Sequence, residues 1–142
     1  MARDGAKRAV LIAGPTASGK TALAIARARQ SGARIVNADS MQVYGVLDRL
    51  TARPNADELA QAHHEMFGHV DPSVRYSTGA WLADAHKQIQ EADKENQELI
   101  FVGGTGLYFD ALVNGFAQVP AIDPEFVAEA EKLIQERDEA GR

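Results

Sequence analysis

The 142-residue sequence predicts an α/β fold with a parallel sheet covered by helices on both faces. Three observations carry this. A short apolar run, Ala9 to Ala13, leads into a glycine-rich turn and then a helix-forming stretch. Two further strand-like segments, Arg34 to Ala38 and Leu99 to Val102, alternate with segments of helical periodicity. The turns after these segments hold glycine, Asp39 and Thr105, at the carboxyl ends of the strands, where an open α/β sheet places its ligands.

Ala9-Val10-Leu11-Ile12-Ala13 is continuous and apolar, as expected of a strand buried on both faces. The segment from Thr21 to Arg29 is rich in alanine, leucine and arginine and should form a helix that stops at Gly32, a favourable residue just past a helix end. Arg34 to Ala38 reads as a second strand ending at Asp39-Ser40. A helix is expected from Ala56 to Met66, with Asn55 as N-cap and Glu58 completing a capping box. A longer helix should begin after Ser77 or Thr78, with Trp81, Leu82, Ala85, Ile89 and Ala92 on its apolar side. The third strand, Leu99 to Val102, closes at Gly103-Gly104-Thr105, and Gly106 to Asn114 forms a short helix ending at Gly115. Asp123 caps a last helix with Pro124 at its first position and Phe126, Ala130, Leu133 and Ile134 on one side; the acids from Glu125 to Glu139 form its solvated face.

Three strands are few for such a sheet, and the chain closes on a helix. This is either a minimal three-stranded domain or, the favoured alternative, the core of a larger one whose later strands are missing.

Composition narrows the chemistry. With 45% hydrophobic and 25% charged residues the chain is of globular type. It has no cysteine, which excludes disulfides, thiolate metal sites and a cysteine nucleophile. No apolar run approaches the ~20 residues that span a bilayer, and the first eight residues lack the apolar region of a signal peptide, so a cytoplasmic location without membrane association is expected. Residues 1–70 hold nine Lys and Arg against six acids, and residues 71–142 six against fourteen, for a net charge of −5. That balance is a poor footprint for nucleic acid, although a basic mouth around the glycine loop is compatible with it.

Gly14-Pro15-Thr16-Ala17-Ser18-Gly19-Lys20-Thr21 matches G-x-x-x-x-G-K-[ST] between a strand and a helix, the context a P-loop requires. Inward-turned backbone N–H groups and the helix N-terminus hold phosphate oxygens, Lys20 adds a point charge, and the Thr21 hydroxyl can ligate Mg²⁺. An NTPase usually carries a second acid at the end of another strand for its Mg²⁺. Here the third strand ends Val102-Gly103-Gly104-Thr105 without one, and the acid is Asp39, after the second strand. ATP affinity alone would not be diagnostic, since any P-loop can accept it.

The P-loop, Asn37-Ala38-Asp39-Ser40-Met41-Gln42-Val43-Tyr44, Thr51-Ala52-Arg53-Pro54, His63-His64, Asp71-Pro72-Ser73 with Tyr76-Ser77, and Gly103-Gly104-Thr105-Gly106-Leu107-Tyr108 follow one another as blocks of the tRNA dimethylallyltransferases do. Together they cover nearly the whole chain, which resembles the N-terminal portion of that family. The resemblance implies a P-loop NTPase-like three-layer fold. It also implies that residues 1–142 are one catalytic core of a chain about twice as long, which transfers a dimethylallyl group from its diphosphate to the N6 amine of an adenosine beside the tRNA anticodon. In that scheme the P-loop grips the diphosphate with Mg²⁺. Asp39 resembles the family's general base, and Thr105 the position that contacts the target nucleotide. Lys20 offsets the charge of the leaving group, and Ser40, Met41 and Gln42 are substrate contacts. On the residues alone, Asp39 could instead cap the segment after its strand, Ser40 and Gln42 could be turn polars, and Gly103-Gly104-Thr105 could be only a tight turn.

Paired histidines invite a metal reading, but neighbours on a helix point about 100° apart and do not chelate together. His69 and His86 read as surface residues, Trp81 as core, and Arg53 as either a solvated charge or a phosphate contact. Val127 stands about where relatives often carry arginine, and Glu65-Met66-Phe67-Gly68 is atypical of the family. With the half of a family-length chain that is missing, which should hold further core strands, basic surface and much of the tRNA channel, these departures suggest weak tRNA binding and little turnover by this chain alone. The alternatives are an adenylate isopentenyltransferase acting on AMP, a P-loop small-molecule kinase, or a truncated remnant that binds phosphate without catalysis.

Overall fold

A computed structural model of the chain describes residues 9–46, 53–117 and 123–140. The elements are β1 (Ala9–Ala13), α1 (Lys20–Ser31), β2 (Arg34–Asn37), α2 (Ala56–Gln61), β3 (His63–Glu65), α3 (Thr78–Lys94), β4 (Leu99–Gly103), α4 (Gly106–Asn114) and α5 (Pro124–Ala140). All four strands are parallel and lie in the order β1-β4-β2-β3. Ala9 pairs with Leu99, Arg34 also with Leu99, and Arg34 again with His63, so the carboxyl ends of the strands sit together at one rim.

Two apolar clusters sandwich the sheet. On one face Ala24, Ile25 and Ala28 of α1 pack on Ile35, Ile100 and Val102. On the other, Trp81 and Ala85 of α3 and Tyr108 of α4 pack on Val36 and Phe101. Trp81 is fully buried, as expected, and stacks on Tyr108 with ring centroids 4.4 Å apart. Helix boundaries follow local chemistry. Gly32 ends α1 in the left-handed conformation, at φ 71°. Asn55 and Glu58 form the expected reciprocal capping box on α2, and the Ser77 side chain accepts from the Ala80 N–H at the start of α3. The Asp123 carboxylate accepts from the Glu125 N–H at the start of α5.

Three expectations are corrected. The helix expected to reach Met66 stops at Gln61, and His63–Glu65 become a fourth strand beside β2. No residue of α2 is buried, so nothing rewards prolonging it. In extended form the main chain of 63–65 gains a ladder to Arg34–Val36, and Met66, at φ 64°, turns its side chain into the core. Second, β1 is not buried on both faces. Among the described strands it pairs with β4 alone, and exposure alternates along it, with Leu11 41% exposed. Third, the apolar side of α5 is not packed: Phe126, Leu133 and Ile134 are all exposed. Thr51 and Ala52 lie outside the described residues.

His63 and His64 therefore occupy alternate faces of a strand rather than adjacent helix positions. His63 Nε2 lies 2.7 Å from Glu65 Oε1, and His64 Nδ1 lies 2.8 Å from the Ala62 carbonyl oxygen. The Arg53 guanidinium donates to the Tyr44 carbonyl oxygen. His86 is exposed. His69 is held, its Nε2 3.2 Å from the Tyr76 hydroxyl, which donates to Asp84 Oδ2 at 2.6 Å.

Candidate active site

The site lies where β1, β4 and β2 end. After Ala13 the chain is anchored by the Gly14 N–H donating to the Gly103 carbonyl oxygen, 3.3 Å away, which ties the start of the P-loop to the end of β4. The loop then turns through Ala17 at φ 60° and Gly19 at φ 84°. These left-handed residues turn the backbone into α1, whose N-terminus carries Lys20 and Thr21. The Ser18 hydroxyl donates to the Pro15 carbonyl oxygen at 2.7 Å. The Lys20 ammonium donates to the same oxygen and to Ser18 Oγ.

A cavity of about 260 Å³ is lined by Thr16, Ala17, Ser18, Gly19, Lys20 and Thr21, and by Asp39, Gln42 and Glu58 across from them. The geometry thus brings the sequence-predicted base and one predicted substrate contact to the mouth of the P-loop. Ser40, Met41 and Thr105 do not line this cavity; they stand beside it on the ends of β2 and β4. Met41 is exposed. Thr105 ties the two strand ends together: its hydroxyl oxygen accepts from the Ser40 N–H at 2.8 Å, and its own N–H donates to the Ala38 carbonyl oxygen at 3.2 Å.

Asp39 does cap its turn. Its Oδ1 accepts from the Met41 N–H at 2.9 Å and the Gln42 N–H at 3.3 Å. Capping through one oxygen still allows the other to act, because a carboxylate has about four acceptor directions. Oδ2 faces the Gly104 side, where a Cβ added to Gly104 would lie 3.7 Å from it and 3.2 Å from the Gly14 carbonyl oxygen. Gly103 is demanded by sterics: a Cβ there would sit 2.2 Å from the Ala38 carbonyl. The glycine pair therefore lets β4 end against the Asp39 turn, which a tight turn alone would not need.

Asn37, absent from the sequence-derived site, holds this turn. It is fully buried, its Oδ1 accepts from the Asp39 N–H at 3.0 Å, and its Nδ2 donates to the carbonyl oxygens of Asp39 at 2.9 Å and Met66 at 3.2 Å. Trp81 Nε1 donates to the Asn37 carbonyl oxygen at 2.9 Å, which fastens the same residue to α3. The signal in the sequence was an Asn two residues before a strand-end Asp, the pattern of a side chain closing its own local turn. Beneath the turn, burial and then the charges of Tyr44 and Asp39 push the Tyr108 hydroxyl up to about 12, so it stays neutral beside Asp39.

For Mg²⁺ the donor set is of the right kind. Thr21, Asp39 and Glu58 offer oxygens around one cavity, and Mg²⁺ takes one or two protein oxygens with phosphate and water for the rest. Among the described residues no group of three or more His, Asp or Glu side chains could hold a metal by itself.

Comparison with known proteins places this geometry. Residues 42–141 match the family model described as IPP transferase. A tRNA dimethylallyltransferase from Chelativorans sp. is 57% identical over 121 residues, 85% of this chain and 41% of that protein. One from Nitrobacter hamburgensis is 50% identical over 98% of this chain and 44% of its own length. The crystal structure of the full-length tRNA isopentenylpyrophosphate transferase of Bacillus halodurans superposes with a TM-score of 0.76 at 31% identity, covering 92% of this chain and 43% of that one. A eukaryotic dimethylallyltransferase solved acting on tRNA gives the same TM-score at 28% identity. The chain thus spans about two fifths of the length of the curated relatives it matches, and it belongs to the IPP transferase family.

Proposed function

We propose that this chain is the diphosphate-gripping core of a tRNA dimethylallyltransferase, acting within a polypeptide of family length. The observation that carries the reading is the cavity in which the P-loop faces Asp39 and Gln42 from the neighbouring strand end. The names of the relatives supply the reaction class: transfer of a dimethylallyl group to tRNA.

An adenine N6 amine is a weak nucleophile because its lone pair is delocalised into the ring. As the bond from N6 to the donor's C1 forms, the bond from C1 to the diphosphate oxygen breaks, and the amine must lose a proton. Asp39, braced by Asn37, takes that proton; such a base is worth about 10²- to 10⁴-fold. The loop amides, the α1 N-terminus and Lys20 stabilise the charge that develops on the departing diphosphate. Mg²⁺ bound through Thr21 would supply further charge neutralisation to the diphosphate. Ser40, Met41, Gln42 and Thr105 line the approach of the nucleotide, which must leave its stack to reach Asp39. A carboxylate opposite the loop can take a proton in prenyl transfer or in phosphoryl transfer alike, so it is the names of the relatives that favour prenyl transfer. No described helix is long and apolar enough to cross a membrane.

The test is transfer of labelled dimethylallyl from its diphosphate, with Mg²⁺, to unmodified tRNA and separately to AMP. It is run on this chain joined in one polypeptide to the part of the Chelativorans relative outside the matched residues. Label in tRNA is the expected result, and Asp39→Ala abolishes it. Label only in AMP would replace tRNA by a free nucleotide as acceptor, and no label with either would overturn prenyl transfer.

A further inference from the structure

Helix α3 bears on the turn that faces the P-loop at two points. Trp81 Nε1 donates to the Asn37 carbonyl oxygen at 2.9 Å, and Asn37 braces Asp39. Asp84 follows three positions later, a neighbour of Trp81 on the helix surface. Its Oδ2 accepts from the Tyr76 hydroxyl at 2.6 Å, and its Oδ1 from the Lys87 ammonium at 3.0 Å. Having given its one proton to Asp84, the Tyr76 oxygen is left to accept from His69 Nε2, 3.2 Å away. The rings of His69 and Tyr76 also meet edge to face, with centroids 5.3 Å apart. Burial, and then the hydrogen bond to Asp84, hold the Tyr76 hydroxyl above its ordinary value, so it remains a donor. None of His69, Tyr76, Asp84 and Lys87 lines the P-loop cavity.

His69 and Tyr76 belong to residues 66–76, a strap between β3 and α3 that runs along the substrate-facing turn. Strap and turn are joined main chain to main chain, with Tyr44 and Val70 as a parallel bridge. The Gly68 N–H donates to the Gln42 carbonyl oxygen and the Val70 N–H to that of Val43, each at 2.9 Å, and the Gly45 N–H donates to that of Val70 at 3.2 Å. The Tyr44 hydroxyl adds a bond to the Val74 carbonyl oxygen at 3.2 Å. Val70 is buried, but every residue from Asp71 to Arg75 is exposed. Beyond Val70 the path of the strap is therefore set by the local turn in which Asp71 Oδ1 accepts from the Ser73 N–H, and by the seat of Tyr76.

We propose that Asp84 is a positioning residue for the acceptor nucleotide: through Tyr76 and His69 it pins this strap, and the strap holds Gln42 at the mouth of the P-loop. The inference rests on the proposed function, in which the turn of Gln42 meets the nucleotide. A half-buried carboxylate adds little net stability over apolar packing. What it adds is one geometry, because a satisfied polar network admits a single arrangement of its members. The loss on breaking the pin falls on the acceptor, since the loop amides, Lys20 and Thr21 that hold the donor lie on the opposite wall of the cavity.

The test uses the joined chain of the transfer assay with Tyr76→Phe, Asp84→Leu, the two together, and Asp84→Asn, which keeps an acceptor oxygen for Tyr76. Native-state hydrogen exchange is read at Gly45, Gly68 and Val70 and compared with the amides of β4. Tyr76→Phe and Asp84→Leu should each speed exchange at the three amides by about fivefold or more beyond any change in β4. The double variant should match the single ones, and Asp84→Asn should recover most of the loss. In single-turnover transfer the half-saturating tRNA concentration should rise about fivefold or more, with the Kd of dimethylallyl diphosphate within about twofold. Exchange that rises no more at the strap than in β4 overturns the proposal, because the cluster is then only structural. So does Asp84→Asn behaving as Asp84→Leu does, or an equal loss for donor and tRNA. A wild-type joined chain that binds the donor and transfers no label overturns the proposed function; the hold of Asp84 on the strap is then decided by exchange alone.

Discussion

β1 and β4 are neighbouring parallel strands of five residues, AVLIA and LIFVG, each ending at the candidate site. Every residue of β4 is buried, whereas exposure alternates along β1 and none of its residues is fully buried. Their apolar content is nearly the same. What differs is the number of neighbours: β4 lies between β1 and β2 with helices on both faces, and among the described strands β1 pairs with β4 alone. An apolar run records what a strand is able to bury; the elements around it decide how much it does bury.

The comparison is broken most severely by truncating β4. Phe101→Ala removes a fully buried ring packed on Trp81 and should cost about 3–5 kcal/mol in urea unfolding. Leu11→Ala on β1, where the side chain is already 41% exposed, should cost well under half of that. Equal losses would mean that β1 is covered in solution. The ends of the two strands differ likewise. Gly103→Ala drives a Cβ to 2.2 Å from a backbone carbonyl and should cost about 2 kcal/mol or more, with β4 forced away from the Asp39 turn. Gly14→Ala meets a movable hydroxyl, Ser18 Oγ at 3.2 Å, and should cost less.

Asn37→Leu sharpens the role of the turn. It should cost about 1–3 kcal/mol, from the unpaired Asp39 and Met66 groups, and should speed hydrogen exchange at Asp39. Unchanged exchange there would remove Asn37 as the brace.

The smallest effect is in pH. Burial raises the Asp84 carboxyl, but hydrogen bonds from Tyr76 and Lys87 and the charges of Lys87 and His69 outweigh it and hold the group below its ordinary 3.8. A carboxylate with a lowered folded value binds fewer protons than in the unfolded chain. Its stabilisation is therefore complete above the ordinary value and is lost as pH falls through the lowered one. Tyr76→Phe should flatten the acid limb of a melting profile below about pH 4 and leave the profile near neutrality nearly parallel. An unaltered acid limb would contradict the assignment.

Much of this was legible in the sequence because it depends on neighbours along the chain. The P-loop, Gly32, the Asn55 box, the Ser77 cap and the buried side of α3 are set by residues within about four positions of one another. The rest depends on partners distant in sequence. Nothing in His63-His64-Glu65 favours a strand, since none of the three is β-branched or a large aromatic; β2 makes it one. The exposure of Leu11 depends on how few described elements pack around β1, which no residue near it in sequence records. At the site, Asp39, Gln42 and the P-loop do share a cavity, but the tie from Thr105 to Ser40 spans 65 positions and has no local signature.

Under the proposed function the P-loop holds the donor and Asp39 takes the proton, and single-turnover transfer by the joined chain separates the two roles most directly. Dimethylallyl diphosphate is bound first with Mg²⁺, and tRNA is then added. Asp39→Asn should leave the donor Kd within about twofold and slow transfer by about 10²- to 10⁴-fold. Lys20→Met should instead weaken the donor Kd by about tenfold or more. Loss of donor binding in Asp39→Asn, or transfer at an undiminished rate, would contradict it.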